Sequence, residues 1–87
     1  MAPYKVLLAS SVKQDVRGID RNNLARILDE IHSLSDNPFP SGCKKLKGSR
    51  SSYRLRVGDY RILYEVDTEA GAVSVYRVRH RKDVYQK

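Results

Sequence analysis

The sequence predicts an α+β domain: two N-terminal helices packed on one face of a small, mainly antiparallel sheet, in the order β-α-α-β-β-β(-β). Three observations predict it. An apolar run opens the chain at Tyr4–Ala9, helix-period stripes fill residues 12–34, and alternating segments broken by tight turns fill residues 52–79. The 87 residues make a single domain, 1–87. A chain this short buries only about 60% of the surface it exposes when unfolded. Its core is therefore one interface between helices and sheet.

The elements follow in order. YKVLLA, from Tyr4 to Ala9, reads as a short buried strand. Ser10 or Ser11 can cap the next helix, in which Val12, Val16 and Ile19 share a face at i, i+4 and i+7. Asp20 has the position of a second N-cap. Leu24, Ile27, Leu28, Ile31 and Leu34 then form an apolar stripe. Ser35-Asp36-Asn37-Pro38 ends that helix, because a residue before proline avoids the α region. Phe39 to Gly42 is loop, and Cys43 to Gly48 (CKKLKG) is a short strand or edge segment.

Residues 52–66, SYRLRVGDYRILYEV, carry the most information. Gly58-Asp59 is a two-residue hairpin turn. Pairing through it sets Val57 against Tyr60, Arg56 against Arg61, Leu55 against Ile62, Arg54 against Leu63 and Tyr53 against Tyr64. Side chains alternate between faces. One face is then apolar and aromatic, and the other carries Arg54, Arg56 and Arg61 with Leu63 and Glu65. Like charges directly across a strand pair are destabilising, so that face is expected to hold an anion, with the phosphates of a nucleic acid as the best candidate. After a turn at Thr68–Gly71, the last strand runs from Ala72 to Arg79. With Tyr76 and Val78 in the core, Arg77 and Arg79 join the basic face and Val73 and Val75 lie more exposed. The opposite parity buries two arginines. The helices cover the apolar face and leave the arginines open.

The formal charge is +7. Residues 1–43 hold five basic and five acidic residues, whereas residues 44–87 hold twelve and five, so the excess lies in the sheet half. This asymmetry points to RNA, DNA or an acidic protein, with a solvated basic surface as the bland alternative. Cys43 is the only cysteine, which excludes an internal disulfide and a cysteine-based zinc site. The N-terminal apolar run is too short for a signal peptide, and no segment nears the ~20 apolar residues of a membrane span. A soluble cytoplasmic protein without membrane association is expected.

Four stretches resemble the RelE/ParE toxin superfamily, in particular its RelE branch. They are Asn37-Pro38, KKLKG from Lys44 to Gly48, the hairpin YRLRVGDYRILY, and HRKDVY from His80 to Tyr85. The resemblance implies a RelE-like fold and the toxin of a type II toxin–antitoxin system, held inactive by a cognate antitoxin. It implies a ribosome-dependent endoribonuclease that cleaves mRNA in the decoding site, with no metal and no small-molecule cofactor. Carried over by motif, the catalytic cleft comprises Arg54, Arg56 and Arg61 on the hairpin strands, Arg79 or Arg81 as the basic residue near the end, and Tyr85 as the aromatic; His80 joins these catalytic candidates on its chemistry. Lys44, Lys45, Lys47 and Arg77 are the added RNA-binding candidates, and lysines guarding an edge strand are the competing reading. The same scaffold also carries gyrase inhibitors, so a ParE-like protein without RNase activity and a non-catalytic basic RNA-binding module stay open as alternatives.

RNA cleavage without a metal proceeds by attack of the 2′-OH on the adjacent phosphate. It needs a base, cations at the phosphorane oxygens and an acid for the leaving 5′-oxygen. Guanidinium groups suit the cation role, since their planar fork matches phosphate oxygens. Relatives in the RelE branch place lysines at the two first-strand positions where this chain has Arg54 and Arg56, and arginine is a poor base. Three routes stand: His80 as base or acid, because imidazole titrates near neutrality; Tyr85 activated by neighbouring cations; or catalysis by positioning and charge. His80 with Tyr85 as partner or stacking platform is the favoured pairing.

Overall fold

Asp20 starts the longer helix as its place before the apolar stripe predicts. Its carboxylate accepts the Asn23 side-chain amide at 2.6 Å and the Asn23 backbone N–H at 3.2 Å. These two bonds to the charged form hold its pKa below the ordinary aspartate value. The computed structural model describes residues 3–82. They form β1 (Lys5–Leu8), α1 (Ser10–Asp15), α2 (Arg21–Ser33), β2 (Lys44–Lys45), β3 (Ser52–Val57), β4 (Tyr60–Asp67) and β5 (Ala72–His80). The strands make one sheet in the order β1-β5-β4-β3-β2. β1 runs parallel to β5, and every other pair is antiparallel.

The expected two-layer arrangement is what forms. Val12 of α1 and Ile27, Ile31 and Leu34 of α2 and its cap are buried against Leu55, Ile62, Tyr64 and the valines of β5. Each such side chain removed from water contributes about 1.5–3 kcal/mol. The β3–β4 register is the predicted one at every pair. Gly58 turns the hairpin with φ 60°, a conformation that costs other residues. Among the described residues no helix is long and apolar enough to cross a membrane.

β5 departs from the expected parity. Leu63 faces Arg77 but Tyr64 faces Val75, so Tyr76 is an extra residue without a partner, a β-bulge. The bulge switches the alternation in mid-strand. Val73 and Val75 are fully buried before it and Val78 is buried after it, while Arg77 and Arg79 still avoid the core. Tyr76 is accordingly half-buried rather than a core residue, and its carbonyl accepts the Ser11 hydroxyl at 2.7 Å. That bond occupies Ser11, and α1 is capped by Ala9 without any side-chain bond, not by Ser10 or Ser11. The α1 helix stops at Asp15, and Val16 and Ile19 pack half-buried beyond its end.

Three further expectations are corrected. β1 is an edge strand, with Leu7 48% and Leu8 44% exposed, because four residues at the margin of a sheet pair on one side only. The stripe of α2 narrows to Ile27, Ile31 and Leu34, and Leu28 is 45% exposed on its flank. Of the Cys43–Gly48 segment only Lys44–Lys45 is strand, at the opposite edge of the sheet.

Candidate functional site

Alternation along β3 and β4 turns Arg54, Arg56 and Arg61 away from the helices, and β5 beyond its bulge adds Arg79. Arg56 stands opposite Arg61, which in turn stands opposite Arg79. Three arginines thus occupy one row across three adjacent strands, where opposed Cβ atoms lie about 4.5–5.5 Å apart. The next row runs Lys44, Arg54, Leu63, Arg77. A cavity of about 160 Å³ opens between the rows, lined by Gly42, Lys44, Arg54, Arg56 and Arg61. Among the described residues, no acidic side chain lines it.

The cations differ in setting. Arg61 is 9% exposed, so solvent screens its charge less than that of its neighbours. Arg56 is exposed and its Nε donates to the Gly58 carbonyl at 3.2 Å. Arg79 is half-buried, and no carboxylate of the described residues lies within ion-pair range of it. Gly42 is brought to the rim by the loop after α2. That loop is tied down where the Tyr64 hydroxyl donates to the Pro38 carbonyl at 3.0 Å, Tyr53 stacks on Tyr64 at 5.9 Å, and Phe39 meets Tyr53 edge-on at 5.2 Å. Burial, with a hydrogen bond to Cys43 behind it, pushes the Tyr64 phenol well above its ordinary pKa.

Other sequence candidates lie elsewhere. Arg77 forms an ion pair with Asp15 at 3.0 Å, and the second oxygen of Asp15 accepts the Val78 N–H at 3.0 Å. The charge of Arg77 is therefore committed to the edge of β5. Lys45 pairs with Tyr53 and so sits on the helix-side parity, and Lys47 is exposed in the turn after β2. His80 shares the face of Tyr60, its register partner, against whose ring it packs edge-on at 5.1 Å. Its Nδ1 accepts the Lys82 N–H at 3.2 Å. The sheet thus separates His80 from the arginine row. Arg81 lies at the hairpin tip, its N–H donating to the Asp59 carbonyl at 2.7 Å. Tyr85 lies outside the described residues.

Sequence reasoning missed Gly42 and Asp15. Neither had a signal, because both act through tertiary neighbours: Gly42 through a loop anchored on Tyr64, Asp15 through the length by which β5 outruns β1. A larger concavity, about 750 Å³, lies at the far end of the sheet and is lined by Glu65, Asp67 and Glu69 with Arg50. Its carboxylates disfavour phosphate, so it is not the candidate site.

Residues 6–85 match the model of the ParE toxin of type II toxin–antitoxin systems, parDE. The toxin RelE3 of Methanocaldococcus jannaschii is 36% identical over 85 residues, covering 93% of this chain and 94% of that protein. The toxin RelG of Mycobacterium tuberculosis is 29% identical over 86 residues, covering 98% and 99%. Among solved structures, the RelBE2 toxin–antitoxin complex of Mycobacterium tuberculosis aligns with a TM-score of 0.79 at 30% identity, over 91% of this chain and 99% of that one. The RelE–RelB complex of Pyrococcus horikoshii aligns with a TM-score of 0.82 at 25% identity, over 91% and 96%.

Proposed function

The chain belongs to the ParE toxin family of type II toxin–antitoxin systems, as a RelE-type toxin, and we propose that it is an endoribonuclease that cuts mRNA in the ribosomal A site and so stops translation. The observation that carries this reading is the row Arg56–Arg61–Arg79 beside the cation-lined cavity. A fold that sets three like charges on adjacent strands accepts a standing repulsion, and an anion in the cavity relieves it.

The chemistry follows from the residues. The 2′-OH of one nucleotide attacks its own 3′-phosphate, so the substrate supplies the nucleophile and the route needs no metal. The phosphorane gains negative charge as it forms. Lys44, Arg54, Arg56 and Arg61 around the cavity, with Arg79 beside them, meet that charge with donors already in place. The ribosome holds the message in line for attack. Guanidinium groups stay protonated, so proton transfer falls to another group. His80 is engaged with Tyr60 on the far face and is assigned a structural role. Tyr85 is the proposed proton-transfer or stacking residue.

A cognate antitoxin is the proposed regulator. Solved structures similar in fold include complexes of RelE toxins with RelB antitoxins, and a net charge of +7 favours an acidic partner over the arginine face. A toxin acting on ribosomes works in the cytoplasm.

The parDE description of the matched family favours one other reading, inhibition of DNA gyrase without RNA cleavage. Induced expression in a bacterial host separates the two. New 5′ ends inside translated messages support the nuclease. Intact messages with loss of plasmid supercoiling support the gyrase reading and overturn the first.

A further inference from the structure

Outside the cavity, one cation of the helical half reaches the same sheet. Arg26 projects from α2 to the hairpin tip, where a Cβ placed on Gly58 would meet its Nη1 at 3.4 Å and its Nη2 at 3.6 Å. From the other side of the sheet Arg56 donates its Nε to the carbonyl of the same Gly58. Two guanidinium groups therefore flank a single residue, one from each layer of the domain. Arg26 is exposed, and no carboxylate of the described residues lies within ion-pair range of it. Asp59, the nearest acid in sequence to the tip, faces Arg81 at 3.9 Å.

We propose that Arg26 continues the phosphate-binding track of the arginine row around the hairpin tip onto the helical layer, contacting the backbone of single-stranded RNA beyond the cut site. Gly58 makes this path available twice over. Its φ of 60° closes the turn without strain, and its missing side chain leaves room for the Arg26 guanidinium. A strand of RNA leaving the cavity past Arg56 meets Arg26 next. Arg26 touches neither the cut phosphate nor the cavity, so it is a positioning residue that acts through substrate binding. The inference rests on the nuclease reading, since it takes single-stranded RNA as the substrate.

The test uses the full chain and a fluorescein-labelled single-stranded RNA with 2′-O-methyl groups throughout, which binds without being cut. Anisotropy titrations at several salt concentrations give the slope of log K against log [salt], about 0.7 per phosphate neutralised on a single strand. Arg26→Ala is expected to lower that slope by about 0.7 and to weaken binding uniformly across RNA sequences, while Arg26→Lys keeps the slope. Arg61→Ala serves as the cavity control, and Arg26→Gln repeats the test should the alanine variant unfold. An unchanged slope for Arg26→Ala, beside a reduced one for Arg61→Ala, overturns the inference and leaves the nuclease reading standing. Absence of salt-dependent binding by the unaltered protein overturns the inference alone, because the nuclease reading leaves the holding of the message to the ribosome. A slope lost equally in Arg26→Ala and Arg26→Lys shows a structural part for Arg26 and overturns the inference alone.

Discussion

Replacing Arg79 by glutamine should make the protein more stable and less active at once. Arg79 faces Arg61 directly across β4 and β5, and Arg56 follows on the next strand. No carboxylate of the described residues offsets Arg79. Removing one of two opposed like charges is worth about 0.2–1 kcal/mol. At roughly 4–8 °C per kcal/mol for a domain of this size, Arg79→Gln should raise the Tm by about 1–8 °C. The gain is electrostatic and must fade with salt, because the screening length shrinks from about 30 Å at 0.01 M to about 3 Å at 1 M. Loss of one preorganised donor at the phosphorane should cost a factor of about 10²–10³ in cleavage rate. Thermal unfolding followed by circular dichroism at both salt concentrations, beside a cleavage assay, reads all three effects. A lower Tm in dilute salt, or undiminished cleavage, would refute the argument that the row is a strained anion site.

Two more expectations concern the scaffold. Tyr64→Phe strips the buried Pro38 carbonyl of its donor and should cost about 1–3 kcal/mol in a urea titration. The same variant should flatten part of the alkaline loss of stability. Because burial raises the folded-state pKa of Tyr64 above the ordinary 10.0, its contribution is complete below that pH and is lost above it, as the unfolded chain ionises first. Asp15→Ala leaves the Val78 N–H and Arg77 without their acceptor. It should cost about 1–3 kcal/mol and speed hydrogen exchange at Val78, whereas Asp15→Asn, which keeps an acceptor oxygen, should cost less.

The hairpin was legible residue by residue, because a two-residue turn leaves a single register and the alternation of Tyr53, Leu55 and Val57 with Arg54 and Arg56 fixes the faces. The bulge in β5 was legible only as a conflict. Val73 and Val75 demand one parity and Val78 with Arg77 and Arg79 the other, and only an inserted residue between them satisfies both. The position of His80 follows from the same reasoning: two residues after buried Val78, it falls on the helix side, away from the arginines. The exposure of Leu7 and Leu8 was not legible, since an apolar run reads alike at the centre and at the edge of a sheet. Nor was the Asp15–Arg77 pair, which joins residues 62 apart in the chain.

The most direct test of the central claim is primer extension on a defined mRNA, with and without programmed ribosomes, comparing the unaltered protein with Arg61→Ala. The account predicts discrete cuts within the A-site codon that require the ribosome and weaken by about 10²–10³ in the variant. Intact mRNA in every lane with the unaltered protein folded, or equal cutting by both proteins, would contradict it.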